Sequence, residues 1–348
     1  MTDQINARKK DHLRALAEDL EIERRDTGFD SVRLMHRALP ELDLDAVDTA
    51  TSFMGKPLSC PLLISSMTGG DGVEISRINR HLAEAAEHCQ IAMGVGSQRV
   101  MFSHETARKS FELREFAPSA VLLANIGAVQ LNYGFEADKF QAAIDVLGAD
   151  GLYLHLNPLQ EAIQPEGDRN FANLGEQIAA LVKQVSVPIL FKEVGSGLAP
   201  ADILLGLEAG IRHFDVAGRG GTSWSRIEYH RRTHEDDDLG LIFQDWGLTT
   251  VESLELAQQT LDKSGHDATL IASGGIRTGI DMAKAVLLGA DICGIAAPFL
   301  RAAQISTEAV IDQIHKFKRE FQTALFLLGC PDVASLRGNK ALLLPAKR

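Results

Sequence analysis

Eight short apolar runs, each ending in glycine or small polar residues and each followed by a longer helical pattern, constrain this chain more than any other feature. In order they are PLLISSMTGG, IAMGVGSQR, AVLLANIG, GLYLHLN, PILFKEVG, HFDVAGRGG, TLIASGGI and DICGIAAPF. Each is continuously apolar rather than alternating, the pattern of parallel strands covered on both faces. The segments between them read as helices, most clearly at residues 74–89, 136–147 and 171–185. Pro200 suits the first position of a helix, where a missing N–H costs nothing. Thr249 and Glu252 are spaced as a capping box. Gly148, Gly210 and Gly289 each separate a helix from the next run, as glycine closes helices well. Eight βα units predict an α/β fold, a (β/α)8 TIM barrel, over residues 61–348. An open doubly wound sheet fits less well, because the units are evenly spaced.

Two segments fall outside this repeat. Residues 1–60 read as an N-terminal extension, with a charged helix at about 7–20 and an irregular connection after it. Residues 223–247, SWSRIEYHRRTHEDDDLGLIFQDWG, form an insertion after the sixth run. It is too long and polar for a plain βα turn, and such loops serve as lids; its middle, 231–238, is expected to be dispensable for folding.

The balance of 35 basic and 47 acidic residues gives a net charge of −12. That argues against nucleic-acid and anionic-membrane partners, which need a basic face. A local basic cluster can still hold a phosphate. The four cysteines form no C-x-x-C pair and read as free thiols. The first residues lack the apolar core of a signal peptide, and no run reaches the roughly 20 residues that span a bilayer. A cytoplasmic location is expected.

Active sites of such barrels lie at the C-terminal ends of the strands. Those ends are polar here: Met67-Thr68-Gly69-Gly70, Ser97-Gln98-Arg99, Asn125, His155-Leu156-Asn157 with Gln160 and Glu161, Lys192-Glu193, Gly218 to Thr222, and Ser273 to Arg277. Gly220-Gly221 and Gly274-Gly275 can leave backbone N–H groups open before a helix N-terminus, a natural anion site. Arg277 beside the second pair points to a cofactor phosphate. Lys192 lies inside a barrel strand, where a buried cation needs a partner. Glu161 falls in the first turn of a helix, where a carboxylate is ordinarily exposed. His12, His213 and His266 are assigned no catalytic role.

These pieces, with Arg8-Lys9-Lys10-Asp11-His12, His155-Leu156-Asn157-Pro158-Leu159-Gln160-Glu161, Lys192-Glu193-Val194-Gly195, Gly220-Gly221-Thr222-Ser223-Trp224, Asp245-Trp246-Gly247 and Ser273-Gly274-Gly275-Ile276-Arg277-Thr278-Gly279, resemble the type 2, FMN-dependent isopentenyl-diphosphate isomerases in order over nearly the whole chain. Ala297 departs from the pattern, which has glycine before Pro298. The resemblance implies FMN contacts at Ser66, Met67, Thr68, Ser97, Asn125, Lys192, Thr222, Gly275, Ile276, Arg277, Ala296 and Ala297. It implies substrate contacts at Arg8, Lys9, Ser97, Gln98, Arg99, His155, Asn157 and Gln160, and a Mg2+ ligand at Glu161. His155, Gln160 and Lys192 are the catalytic candidates; His155 reads better as a diphosphate ligand than as an acid, and the anionic edge of reduced FMN as the partner of Lys192. The implied reaction is the 1,3-allylic shift between isopentenyl and dimethylallyl diphosphate, with reduced FMN as acid and base, NADPH as its reductant, and a homo-oligomeric assembly. The competing readings are an FMN barrel oxidoreductase of the 2-hydroxy-acid oxidase type and a noncatalytic flavin-binding barrel.

Overall fold

A computed structural model describes residues 19–67, 70, 72–231 and 237–345. The expected roles of Arg8, Lys9 and Thr68, and most of the expected N-terminal helix, lie outside these residues.

Each apolar run contributes one strand, and the eight close into a parallel barrel. A hairpin precedes them, β1 (Thr51–Phe53) and β2 (Lys56–Leu58), so the barrel runs β3 (Leu62–Ile64), β4 (Ala92–Gly94), β5 (Leu122–Gly127), β6 (Gly151–Leu156), β7 (Ile189–Glu193), β8 (His213–Asp215), β9 (Thr269–Ser273) and β10 (Ile292–Ile295), with β10 paired to β3. Burial along the strands is nearly unbroken, because helices cover the outside and side chains fill the inside.

The hairpin was read as irregular connection. Its two-residue turn has both centres at positive φ, Met54 at 51° and Gly55 at 74°, the backbone that matches strand twist. Phe53 and Leu58 pack on Leu63, Leu123, Leu190 and Ile292, and Phe53 meets the ring of His213, the first residue of β8. The hairpin therefore plugs the N-terminal end of the barrel and leaves the other end for chemistry.

The capping box of Thr249 and Glu252 is present at the start of the helix Thr250–Ser264, and Pro200 opens Pro200–Glu208. The helix expected at 171–185 is shorter, Leu174–Leu181, and starts after Asn173. The longest helix, Thr307–Leu328, buries Phe317, Phe321 and Leu325 in the outer layer.

The insertion after β8 is packed on both sides of residues 232–236, which are not described. Its first helix, Trp224–Tyr229, buries Ile227 and Glu228 completely, and Ile227 packs with Ile22. Arg231 ion-pairs with Glu228 and Glu166. Residue 231 is thus part of a buried network rather than a dispensable loop tip. Residues 19–27 strap over this region: Arg24 N–H donates to Gly221 O at 2.8 Å, and Asp19 accepts from Arg226 at 2.6 Å and pairs with His230 at 2.7 Å. The Arg226 guanidinium holds the Asp19 carboxyl down at about 2.

Candidate active site at the barrel mouth

Lys192 sits at the end of β7, 7% exposed. Its Nζ lies 3.3 Å from Asp215 Oδ2 and donates to Glu193 O at 3.1 Å. The protein therefore supplies the partner that was expected to come from a flavin edge. Asp215 was overlooked, although an acidic residue inside the apolar run HFDVAG was its visible signal.

On the neighbouring strands Asn125 Nδ2 donates to Val95 O at 3.0 Å, which fixes its amide so that Oδ1 faces His155 Nδ1 at 2.8 Å. Nδ1 of His155 is then the protonated nitrogen. Gly127, paired with His155 in the sheet, leaves the ring its space: a Cβ there would lie 2.9 Å from Nε2. Gln98 does not fit the expected substrate contact. It is fully buried, its Nε2 donates to Ala143 O at 2.9 Å, and its Oε1 accepts from Asn125 N–H at 3.0 Å. It positions Asn125 from behind.

The β6 end turns directly into the helix Pro158–Ile163, with Asn157 as N-cap. This places three side chains together. Glu161 is 5% exposed, unlike an ordinary first-turn carboxylate, and accepts from Asn157 Nδ2 at 3.0 Å and from Asp168 N–H at 2.7 Å. Gln160 Nε2 donates to Glu228 at 2.9 Å, and its Oε1 accepts from Asn157 at 3.2 Å. Arg99 pairs with Asp168 at 2.6 Å, so an incoming anion would share or replace that carboxylate. Asp168 and Glu228 were not anticipated, because nothing in a polar loop marks which acid is folded inward.

The Gly-rich turns pack on each other. Gly275, at φ 76°, lies so close to Gly220 and Thr27 that any Cβ would collide with their backbone and side chain. The helix Gly279–Leu287 is not the open anion site its position suggested. Asp281 caps the Arg277 and Thr278 amides, and Glu320 takes Gly279 N–H at 2.8 Å. By contrast, the helix Ala297–Ala303 has Ala296 as N-cap and no side-chain cap. Arg277 is half-buried and reaches Glu23 at 3.4 Å; burial lowers its pKa against the pull of Glu23. Ile276 is buried, while Ser97, Thr222 and Met67 are partly exposed.

A phosphorylated flavin fits this donor set. The hydroxyls of Ser65 and Ser66, at the end of β3, are buried without a partner, and Lys192, Arg277 and the uncapped helix converge on the same end of the barrel. For a metal, no cluster of three His, Cys, Asp or Glu side chains occurs among the described residues. The lone carboxylate of Glu161 suits an ion that keeps waters and substrate oxygens as its other ligands.

A cleft adjoins these groups, bordered by Gln160, Glu193, Gly195, Thr222, Trp224 and Trp246. Glu193 Oε2 accepts from the amides of Val194 (2.7 Å), Gly195 (2.6 Å), Ser196 and Gly197 (3.2 Å). Burial nonetheless pushes its carboxyl up to about 7.

The family model for FMN-dependent dehydrogenases matches residues 2–117 and 157–342. Proteins named isopentenyl-diphosphate delta-isomerase match at 65% identity in Paracoccus zeaxanthinifaciens, over 97% of each chain, and at 56% in Hydrogenovibrio crunogenus, over 98% of each. One from Synechocystis sp. is 46% identical over 94% of this chain and 93% of its own. Among solved structures, a mandelate oxidase mutant with an FMN adduct is similar at a TM-score of 0.62 and 18% identity, covering 91% of this chain and 89% of its own. A flavocytochrome b2 variant reaches 0.68 at 18%, over 93% and 78%. These two show the shared barrel alone.

Proposed function

From the premise that the chain belongs to the isopentenyl-diphosphate delta-isomerases within the FMN-dependent dehydrogenase family, we propose that its barrel mouth interconverts isopentenyl and dimethylallyl diphosphate by a 1,3-allylic proton shift. Bound FMN, kept reduced by NADPH, supplies proton-exchange chemistry to alkene carbons that ordinary side chains protonate poorly. Lys192 holds a cation against the cofactor position, with Ser66, Met67, Asn125, Thr222, Gly275, Ile276, Arg277, Ala296 and Ala297 around it. Glu161 would hold Mg2+ as a counter-charge for the diphosphate, which Arg99, Ser97, Asn157 and His155 would bind. Gln160 orients the alkene: its amide is pinned between Glu228 and Asn157, so it presents a fixed face and does not turn freely. Arg8 and Lys9 add two cations from the N-terminal extension. The same reading carries a homo-oligomer in the cytoplasm; among the described residues no helix is long and apolar enough to cross a membrane.

The observation that carries this reading is the placement of Asn157, Gln160 and Glu161 on one turn, Asn157 and Glu161 buried, beside the His155–Asn125 pair and Lys192, on three adjacent strands. A hydroxy-acid oxidase has less support. Relatives that match nearly the whole chain at 46–65% identity are named isomerases, whereas the oxidase structures match at only 18%.

The test is to follow product in deuterated water under anaerobic conditions with dithionite-reduced, FMN-loaded protein. Turnover without NAD(P)H, an inactive oxidised form and deuterium in the product are expected. Full activity from the oxidised or flavin-free protein would overturn the assignment of the proton transfer.

A further inference from the structure

Four consecutive barrel strands send a polar side chain to one point in the interior. Asp215 on β8 is fully buried. It accepts from Tyr153 Oη of β6 at 2.9 Å and from Ser273 Oγ of β9, and it lies 3.3 Å from Lys192 Nζ of β7. Barrel interiors are ordinarily filled with branched aliphatics, so a carboxylate here is costly unless fully partnered. It has two hydroxyl donors and one facing cation. Burial and the charge of Asp215 raise the pKa of Tyr153 well above its ordinary value, so that phenol stays a neutral donor.

The consequence is electrostatic. Lys192 is not a bare cation at the mouth but half of a nearly neutral pair, and water is too distant to screen it well. We infer that Asp215 is a positioning residue that tempers the charge Lys192 presents to the cofactor, and so holds the reduction potential of the bound flavin down. This rests on the reading that FMN lies against Lys192. Two electrons entering the flavin from an external reductant build negative charge on it. A whole positive charge nearby favours that state, and a compensated one favours it less. Removing the carboxylate while keeping the amide shape should therefore raise the potential.

The experiment measures the midpoint potential of FMN-loaded wild type, Asp215→Asn, Tyr153→Phe, Lys192→Gln and the Lys192→Gln/Asp215→Asn double variant, by equilibration with a redox dye under dithionite. In Asp215→Asn the reduced-to-oxidised ratio at fixed poise should rise at least tenfold, which is about 30 mV for a two-electron couple. Tyr153→Phe removes a hydrogen bond but no charge, and should stay within about threefold of wild type; a merely structural network would move both variants alike. The double variant, which removes both charges, should stay within about threefold of wild type, and that comparison decides the matter even where Asp215→Asn alone does not fold. An unchanged or lowered potential in Asp215→Asn, or a reduced-to-oxidised ratio in the double variant at least tenfold below wild type, overturns the inference. A wild-type protein that takes up FMN but shows no isomerisation would strike the functional reading instead and leave the potentials interpretable; one that takes up no FMN overturns both.

Discussion

Gly127→Ala isolates the part played by the position of His155. The backbone at Gly127 has φ −67° and ψ 131°, which alanine adopts without strain. The added Cβ would lie 2.9 Å from His155 Nε2 and 3.2 Å from Cε1, where ordinary contact begins at 3.4 Å. The ring must therefore give by about 0.5 Å, and the neighbouring atoms are packed as densely as a crystal. Displacement in that direction stretches or bends the 2.8 Å bond from Nδ1 to Asn125. Overpacking costs about 1–3 kcal/mol. The lower chain entropy of alanine offsets about 0.4–1 kcal/mol, so urea denaturation should show a net loss of about 1–2 kcal/mol. A misplacement of 1 Å costs on the order of 100-fold in rate, so half that displacement predicts about tenfold in kcat/KM. The assay is a double-mutant cycle with His155→Ala, reading kcat/KM for isopentenyl diphosphate in all four proteins. If the effect runs through the imidazole, Gly127→Ala should add almost nothing once His155 is gone. An undiminished tenfold loss in the His155→Ala background would refute the reasoning.

Glu161→Gln should keep FMN, seen in the visible spectrum, yet lose Mg2+-dependent turnover; Asn157→Ala, which removes a partner of that carboxylate, should weaken the Mg2+ response by about 10- to 100-fold in a metal titration. Arg231→Met removes the ion pair that Arg231 makes with the fully buried Glu228 and should cost about 3–5 kcal/mol in urea denaturation, together with turnover. Glu193 predicts a pH dependence of stability. Its folded pKa of about 7 lies above its ordinary 4.5, so between those values the native state holds a proton that the unfolded chain has released. Stability should therefore fall by about 1–3 kcal/mol from pH 5 to 8, and in Glu193→Gln urea midpoints should vary less over that range. A wild-type profile that rises with pH would count against the burial argument.

The barrel was legible because its cause is local and repeated. Parallel strands covered on both faces must be continuously apolar, and each helix that returns the chain needs its own start and stop; Thr249, Glu252 and Pro200 supplied these where expected. The polar strand ends followed from the same periodicity. The hairpin at 51–58 was not legible, because three-residue strands are too short to show alternation and only the barrel floor explains the turn. The N-terminus of the helix at Gly279 misled in the opposite way: its sequence offers an anion site, but Glu320, distant along the chain, already occupies it.

What the sequence determined by itself was therefore the eight barrel strands, their parallel closure, and the ring of candidate side chains at their ends. Only the tertiary structure decided which acid meets which base. Asp215 with Lys192, Asp168 with Arg99, and Glu228 with Gln160 join residues from different strands and loops. It also decided that Gln98 points behind the site and that Glu161 is buried. Hydrophobic burial repeats along the chain and leaves a periodic record there. A charge pair across a barrel depends on register and on closure, which bring distant residues within about 3 Å without marking either of them beforehand.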